Sequence, residues 1–218
     1  MKQFDFYEFT GILAPGALFL AGLIYLWPDA LRFDSFKDVS VGTFGFFVLL
    51  AYATGHLVQA AGNIIEAIWW KAFGGMPSDW VRDSKQSLLA PAQVDRLRLL
   101  LRTRLHLNVP DSLSDVTGAA WYAITRQVYA AVSAAGRAQR IDTFNGNYGL
   151  NRGLFAASFV LAILVLTEEP VQVKLFLILS AVAVIAGIRM HRFAKHYARE
   201  LFVQFLQLPD LETSKEEQ

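Results

Sequence analysis

Residues 52–66 read YATGHLVQAAGNIIE, and this stretch decides the fold. Tyr52, His56, Gln59, Asn63 and Glu66 recur at intervals of four, three, four and three residues, which sets them along one face of an α-helix. Gly55 and Gly62 lie beside that stripe, where the missing side chains let another helix come close. The segment around it, residues 41–65, contains no Asp, Glu, Lys or Arg. It is long enough to cross a hydrocarbon layer of about 30 Å, which takes about 20 residues. Ionisable groups at that depth are costly, and they face a bundle interior, a watery cavity or a partner. A helix bathed in lipid on all sides would not carry such a stripe.

Three further stretches are almost free of charge, at residues 9–27, 153–167 and 173–188. The chain has 218 residues, of which 54% are apolar and 18% charged. A soluble helical bundle could share that composition, but not so easily its concentration into four runs. The expected fold class is therefore all-α, a four-helix transmembrane bundle with a helical cytoplasmic domain. The net charge of +1 argues against general nucleic-acid binding. Local charge is more informative: of the 20 Lys and Arg residues, 11 lie between Lys71 and Arg152 and five from Arg189 onward. The short links hold few, with Arg32 and Lys37 in the first and Lys174 in the second. Positive residues collect on the cytoplasmic side, so both termini and the central segment are expected there. There are no cysteines, and hence no disulfide framework or thiolate metal site. Asp5 and Glu8 dilute the start of the chain, which reads as a retained first span rather than a signal peptide.

Four segments follow. Residues 1–70 hold an aromatic interfacial segment and spans one and two, with Pro15 and Gly16 positioned to kink the first span. Trp27, Pro28 and Asp29 mark its outer end, and the 29–40 link is an outer loop with half-buried aromatics. The second span continues to a Trp69-Trp70-Lys71 anchor, broken by Gly74, Gly75 and Pro77. Residues 71–147 form a cytoplasmic helical domain. One helix is predicted over 91–107, with Val94, Leu97, Leu101 and Leu105 inward. A second is predicted from an N-cap at Ser114 or Asp115 to about Phe144, with Trp121, Ile124, Val128 and Val132 inward. Asn145, Gly146 and Asn147 read as a turn before spans three and four, residues 148–190. Residues 191–218 continue as a basic helix at the membrane surface, with an apolar stripe of Phe193, Tyr197, Leu201 and Phe205, then an acidic, disordered tail.

The stripe on the second span has three readings. It packs helices together through interhelical hydrogen bonds worth about 0.6 and up to about 2 kcal/mol each. It lines a water-filled path, with Glu66 at an inner mouth attracting cations. Or it holds a metal or a reaction, which His56 and Glu66 cannot do alone, since they lie about 15 Å apart along a helix. Arg137, Arg140, Asp142, Asn145, Asn147 and Arg152 form a second group, read as a helix end with its positive charges or as a surface for a phosphate-bearing ligand or partner. Arg189 and His196 match a loose Arg-to-His spacing of ribonucleases with a helical nucleotide-binding fold, and Arg102 with His106 matches it less well. No P-loop, dinucleotide fingerprint, nucleophile elbow or zinc spacing is present. The expectation is a non-enzyme with no catalytic residues, no cofactor and no metal.

GHLVQAAGNIIE at 55–66, with FYEFTGILAPGALFLAG at 6–22 and FNGNYGLNRG at 144–153, resembles small multi-spanning bacterial inner-membrane proteins of anti-phage defence systems. Such proteins act as membrane effectors that form channels or disrupt the membrane when a partner signals infection. The resemblance implies that Gly55, His56, Gln59, Gly62, Asn63 and Glu66 form the shared core of a homo-oligomer. It also implies that Arg137, Arg140, Asn145, Asn147 and Arg152 meet a cytosolic defence partner or a nucleotide or nucleic-acid signal. A non-conducting scaffold that restrains a cytosolic enzyme is the alternative. Because the chain lacks cysteine, single introduced cysteines report topology cleanly. Ser133→Cys and Ser180→Cys should differ, the first labelled from the cytoplasmic side by an impermeant maleimide and the second shielded. Labelling of Ser133→Cys from outside would overturn the orientation.

Overall fold

The computed structural model describes residues 6–31, 41–83 and 88–209. The expectations for residues 1–5, for most of the first link (32–40) and for the acidic tail (210–218) lie outside the described residues. Within them the chain is all-α: α1 (Phe6–Leu26), α2 (Pro28–Leu31), α3 (Val41–Ala72), α4 (Pro91–Thr103), α5 (Gly118–Ala134), α6 (Gln139–Val165) and α7 (Val173–Leu206). Four of these, α1, α3, α6 and α7, are long and apolar enough to cross a membrane. The chain divides into two compact units, Met1–Lys71 with Gly146–Arg192, and Ala72–Asn145 with Phe193–Gln218. Helices α6 and α7 supply residues to both.

In the first unit small residues set the spacing of the helices. Helix α1 runs unbroken through Pro15. A Cβ on Gly16 would strike the Ala51 carbonyl oxygen and the Gly55 backbone, and one on Gly55 would strike the Ile12 carbonyl. The two backbones are therefore in near contact, as glycine pairs permit between membrane helices. Leu20, Ile24 and Ala51 close the same seam. Val58 of α3 packs on Ala156 and Ala157 of α6. Leu26, Leu161, Ala162, Val165 and Leu179 join α1, α6 and α7 at the other end.

The second unit is built on an ordinary apolar core. Leu97 and Leu101 of α4, Val128 and Val132 of α5, and Phe202 and Phe205 of α7 are all fully buried. Trp121 stacks on Phe202 with ring centroids 5.7 Å apart, and its indole N–H donates to the Ser78 carbonyl at 2.8 Å. The Tyr129 hydroxyl donates to Asp142 Oδ1 at 2.7 Å. That bond, with burial and the nearby carboxylate charge, pushes the phenol up to about 12.

Several local expectations are corrected. Helix α4 stops at Thr103, short of 107, because His106 turns into the left-handed region at φ 52°. The cap of α5 is Thr117, whose Oγ1 accepts from the Ala120 N–H, not Ser114 or Asp115. Residues Leu113–Asp115 form a 3₁₀ turn that buries Leu113, and the extended Val116 behind it is buried too. The helix then ends at Ala134 rather than Phe144: Gly136 adopts φ 72°, and the Arg137 N–H reaches back to the Val132 carbonyl at 3.1 Å. The turn expected at Asn145-Gly146-Asn147 is instead helix interior in α6. Propensity there is a weak prior, about 1 kcal/mol for Gly against Ala, and tertiary contacts override it. Along the apolar stripe of the C-terminal helix Leu201 and Phe205 are buried, and the Phe193 ring lies 6.4 Å from that of Phe144 on α6.

Gly55→Val should therefore force α1 and α3 apart, at a cost of about 1–3 kcal/mol for overpacking. Gly45, with nothing within 4 Å of the place a Cβ would occupy, should accept Ala without loss. Thermal unfolding in detergent checks both, and an unchanged midpoint for Gly55→Val would contradict the close crossing.

Candidate functional site

The polar stripe of α3 does not act as a single surface. Gln59 and Glu66 turn toward α6, while Tyr52, His56 and Asn63 are exposed. Arg152 of α6 binds both inward-facing residues. Its Nη1 pairs with Glu66 Oε2, and its Nη2 and Nε donate to Gln59 Oε1 at 2.9 and 3.3 Å. The side chains of Arg152 and Glu66 are only 21% and 18% exposed, so the ion pair is largely withdrawn from its surroundings. Arg152 also lies over the Tyr148 ring, 5.9 Å from its centroid. Gly62 is where this arginine crosses α3, since a Cβ there would meet Arg152 Cγ at 3.4 Å.

Gln59 has a second task that the stripe did not reveal. Pro15 has no N–H, so the carbonyl four residues earlier, that of Gly11, loses its helical donor. Gln59 Nε2 donates to that carbonyl at 2.7 Å, and to the Gly149 carbonyl at 3.2 Å. The ring of Pro15 in turn sits against Gly153, where a Cβ would approach Pro15 Cγ to 2.6 Å. In hydrocarbon a freed backbone group must be satisfied by the protein itself. Gln59 thus links α1, α3 and α6 through one amide.

The network extends to α7. The buried Trp70 donates its N–H to the Tyr148 hydroxyl at 2.9 Å and stacks on His191 at 5.1 Å. Trp69 Nε1 donates to His191 Nδ1 at 3.4 Å, and Trp69 meets Phe155 edge-on at 5.6 Å. The pair expected as an interfacial anchor is thus largely engaged inside the bundle. Arg189 Nε donates to Asn151 Oδ1 at 3.3 Å, and Asn151 Nδ2 donates to the Asn147 carbonyl at 2.7 Å.

The Arg–Asn group of the sequence is dispersed. Arg152 and Asn147 belong to the first unit, whereas Arg137, Arg140 and Asn145 belong to the second. There Arg137 donates to the Gln207 carbonyl at 2.8 Å, and Arg140 pairs with Glu200 at 3.6 Å. His196 stacks on Phe144 at 5.4 Å. A cavity of about 300 Å³ opens in the second unit among Trp80, Arg82, Asp95, Arg98, Asp111 and Ser112, none of them marked by a motif in the sequence. The Arg102 guanidinium bonded to Asp111 holds that carboxyl below its ordinary range. Among the described residues no group of three His, Asp or Glu side chains is placed to hold a metal ion.

Two signals in the sequence could have found the network. Glu66 is the one acidic residue of α3, and Arg152 stands directly before an uncharged run, so each needs a counter-ion at depth. Pro15 inside an apolar span likewise calls for an outside donor. Gln59→Leu should lower stability in detergent by about 1–3 kcal/mol through the unsatisfied Gly11 carbonyl and Arg152. Pro15→Ala restores the helical N–H, so the double substitution should cost less than the sum of the two singles. Strict additivity would break the assigned link. Comparison of the chain with family models, with curated proteins and with solved structures finds no match.

Proposed function

We propose that the chain is a homo-oligomeric inner-membrane effector of the channel type, gated through its polar helical unit and acting in bacterial anti-phage defence. The observation that supports this is the split of the α3 stripe. Gln59 and Glu66 are satisfied within one chain, and Tyr52, His56 and Asn63 are left facing outward on a helix otherwise suited to lipid. Polar groups at that depth call for a cavity or a partner. The concentration of Lys and Arg in the second unit and its flanks supports a cytoplasmic position for that unit. A signal received there, from a partner or an anionic ligand, reaches the membrane along α6 and α7, which supply residues to both units.

The pairing of Glu66 with Arg152 changes the expected path. A carboxylate already neutralised by a guanidinium does not form a bare anionic ring, so conduction would pass His56 and Asn63 with weak charge selectivity. The same pairing favours a second reading, a non-conducting scaffold for a cytosolic enzyme, in which the stripe only holds helices together. Planar-bilayer recording with the full-length protein separates the two. The channel reading expects discrete conductance that shifts with His56→Leu, and little change in cation-over-anion preference with Glu66→Gln. An intact oligomer that passes no current, in cells that keep their membrane potential under infection, would leave the scaffold reading.

A further inference from the structure

From the outward face of α3 we infer that this helix pairs with α3 of a second copy of the chain, along a seam of Ala53, His56, Ala60, Asn63 and Ala67. This rests on the reading that the protein is an oligomer in the membrane, and it names the surface that makes it one. All five residues are exposed, and they recur at intervals of three, four, three and four. That is the spacing of a left-handed helix pair, with small residues alternating with polar ones. Only 17% of the apolar window of α3 is buried, against 33%, 50% and 28% for α1, α6 and α7, so α3 has the most surface left to cover.

The outward face of α7 looks different. On α7 the exposed residues between 177 and 188 are Leu177, Ile178, Ala181, Val182, Val184, Ile185 and Ile188, all apolar and matched to lipid tails. On α3, Asn63 makes no hydrogen bond among the described residues, and the His56 ring meets only the edge of Tyr52, with centroids 4.9 Å apart. At about 1.5 Å per residue, Asn63 lies about 12 Å and His56 about 22 Å inward of Lys71 at the helix end. Lipid offers no hydrogen-bond partner there.

The chemistry of the two side chains selects the occupant. A primary amide donates and accepts at once, and so does a neutral imidazole. Each is complementary to itself. Copies inserted with one topology are parallel, so Asn63 meets Asn63 and His56 meets His56 at matching depth about a symmetry axis. Ala53, Ala60 and Ala67 allow the backbones near enough for these short side chains to touch. Leu57 and Ile64, both about two-thirds or more exposed, flank the seam and close it against lipid.

The test uses the full-length chain in native membranes, where the absence of cysteine gives a clean background. Ala60→Cys should form an oxidant-induced covalent dimer, while Ala181→Cys on the outward face of α7 should not. Adding Asn63→Leu to Ala60→Cys should reduce the cross-link about fivefold, the effect of losing about 1 kcal/mol of interhelical hydrogen bonding. Asn63→Leu should leave the unfolding midpoint of the detergent-solubilised monomer unchanged, because its exposed side chain makes no hydrogen bond among the described residues. Particle mass in nanodiscs separates the outcomes. Multiples of the chain mass without an Ala60→Cys cross-link would overturn the seam and keep the oligomer. A single chain per disc would remove both.

Discussion

Pro15 leaves the Gly11 carbonyl without the helical donor that any other residue would provide, and in hydrocarbon such a group must be satisfied by the protein itself. The amide of Gln59 answers that carbonyl with its nitrogen and holds the Arg152 guanidinium with its oxygen. Arg152 in turn neutralises Glu66. One proline therefore ties the first three helices able to cross a membrane into a fixed register, and the ion pair is placed by the same contact. Breaking such a withdrawn pair by removing one partner costs about 3–5 kcal/mol, far more than an exposed pair contributes. The near contact of Gly16 with Gly55 and the packing of Pro15 on Gly153 are what bring these polar atoms within reach.

This arrangement sorts one helical face into two roles. The inward edge of α3, Gln59 and Glu66, holds the chain to itself. The outward edge, Tyr52, His56 and Asn63, has no such partner among the described residues and gives α3 a surface unlike that of α7. An oligomer built on that edge and a bundle built on the other are compatible, since they use different side chains. The polar network also reaches the two helices that serve both units. Tyr148, Asn151 and Arg152 lie on α6, and Arg189 and His191 on α7.

The second unit follows soluble rules. Its core is made of Leu, Val and aromatic side chains, and its caps and turns are the short-range devices of water-soluble helices. Trp121 on Phe202 fastens the end of α7 to α5, which explains why the basic C-terminal helix packs inward. Leu201 and Phe205 of its apolar stripe are buried in that core.

Apolar run length and residue type were enough to specify the all-α class and the four helices able to cross a membrane, because both depend on local burial of backbone in hydrocarbon. The stripe from Tyr52 to Glu66 was visible too, since a helix makes its period a property of spacing alone. Which side of the stripe turns inward was not. That depended on Arg152, some ninety residues away, arriving at the depth of Glu66. Local breaks were equally hidden: Asn145-Gly146-Asn147 looks like a turn and is helix, while Gly136 ends α5 where the sequence pattern continues. Spacing reports what one helix can present, but the partner that meets it is chosen by three-dimensional packing, where a carbonyl or a charge must find its complement across the chain.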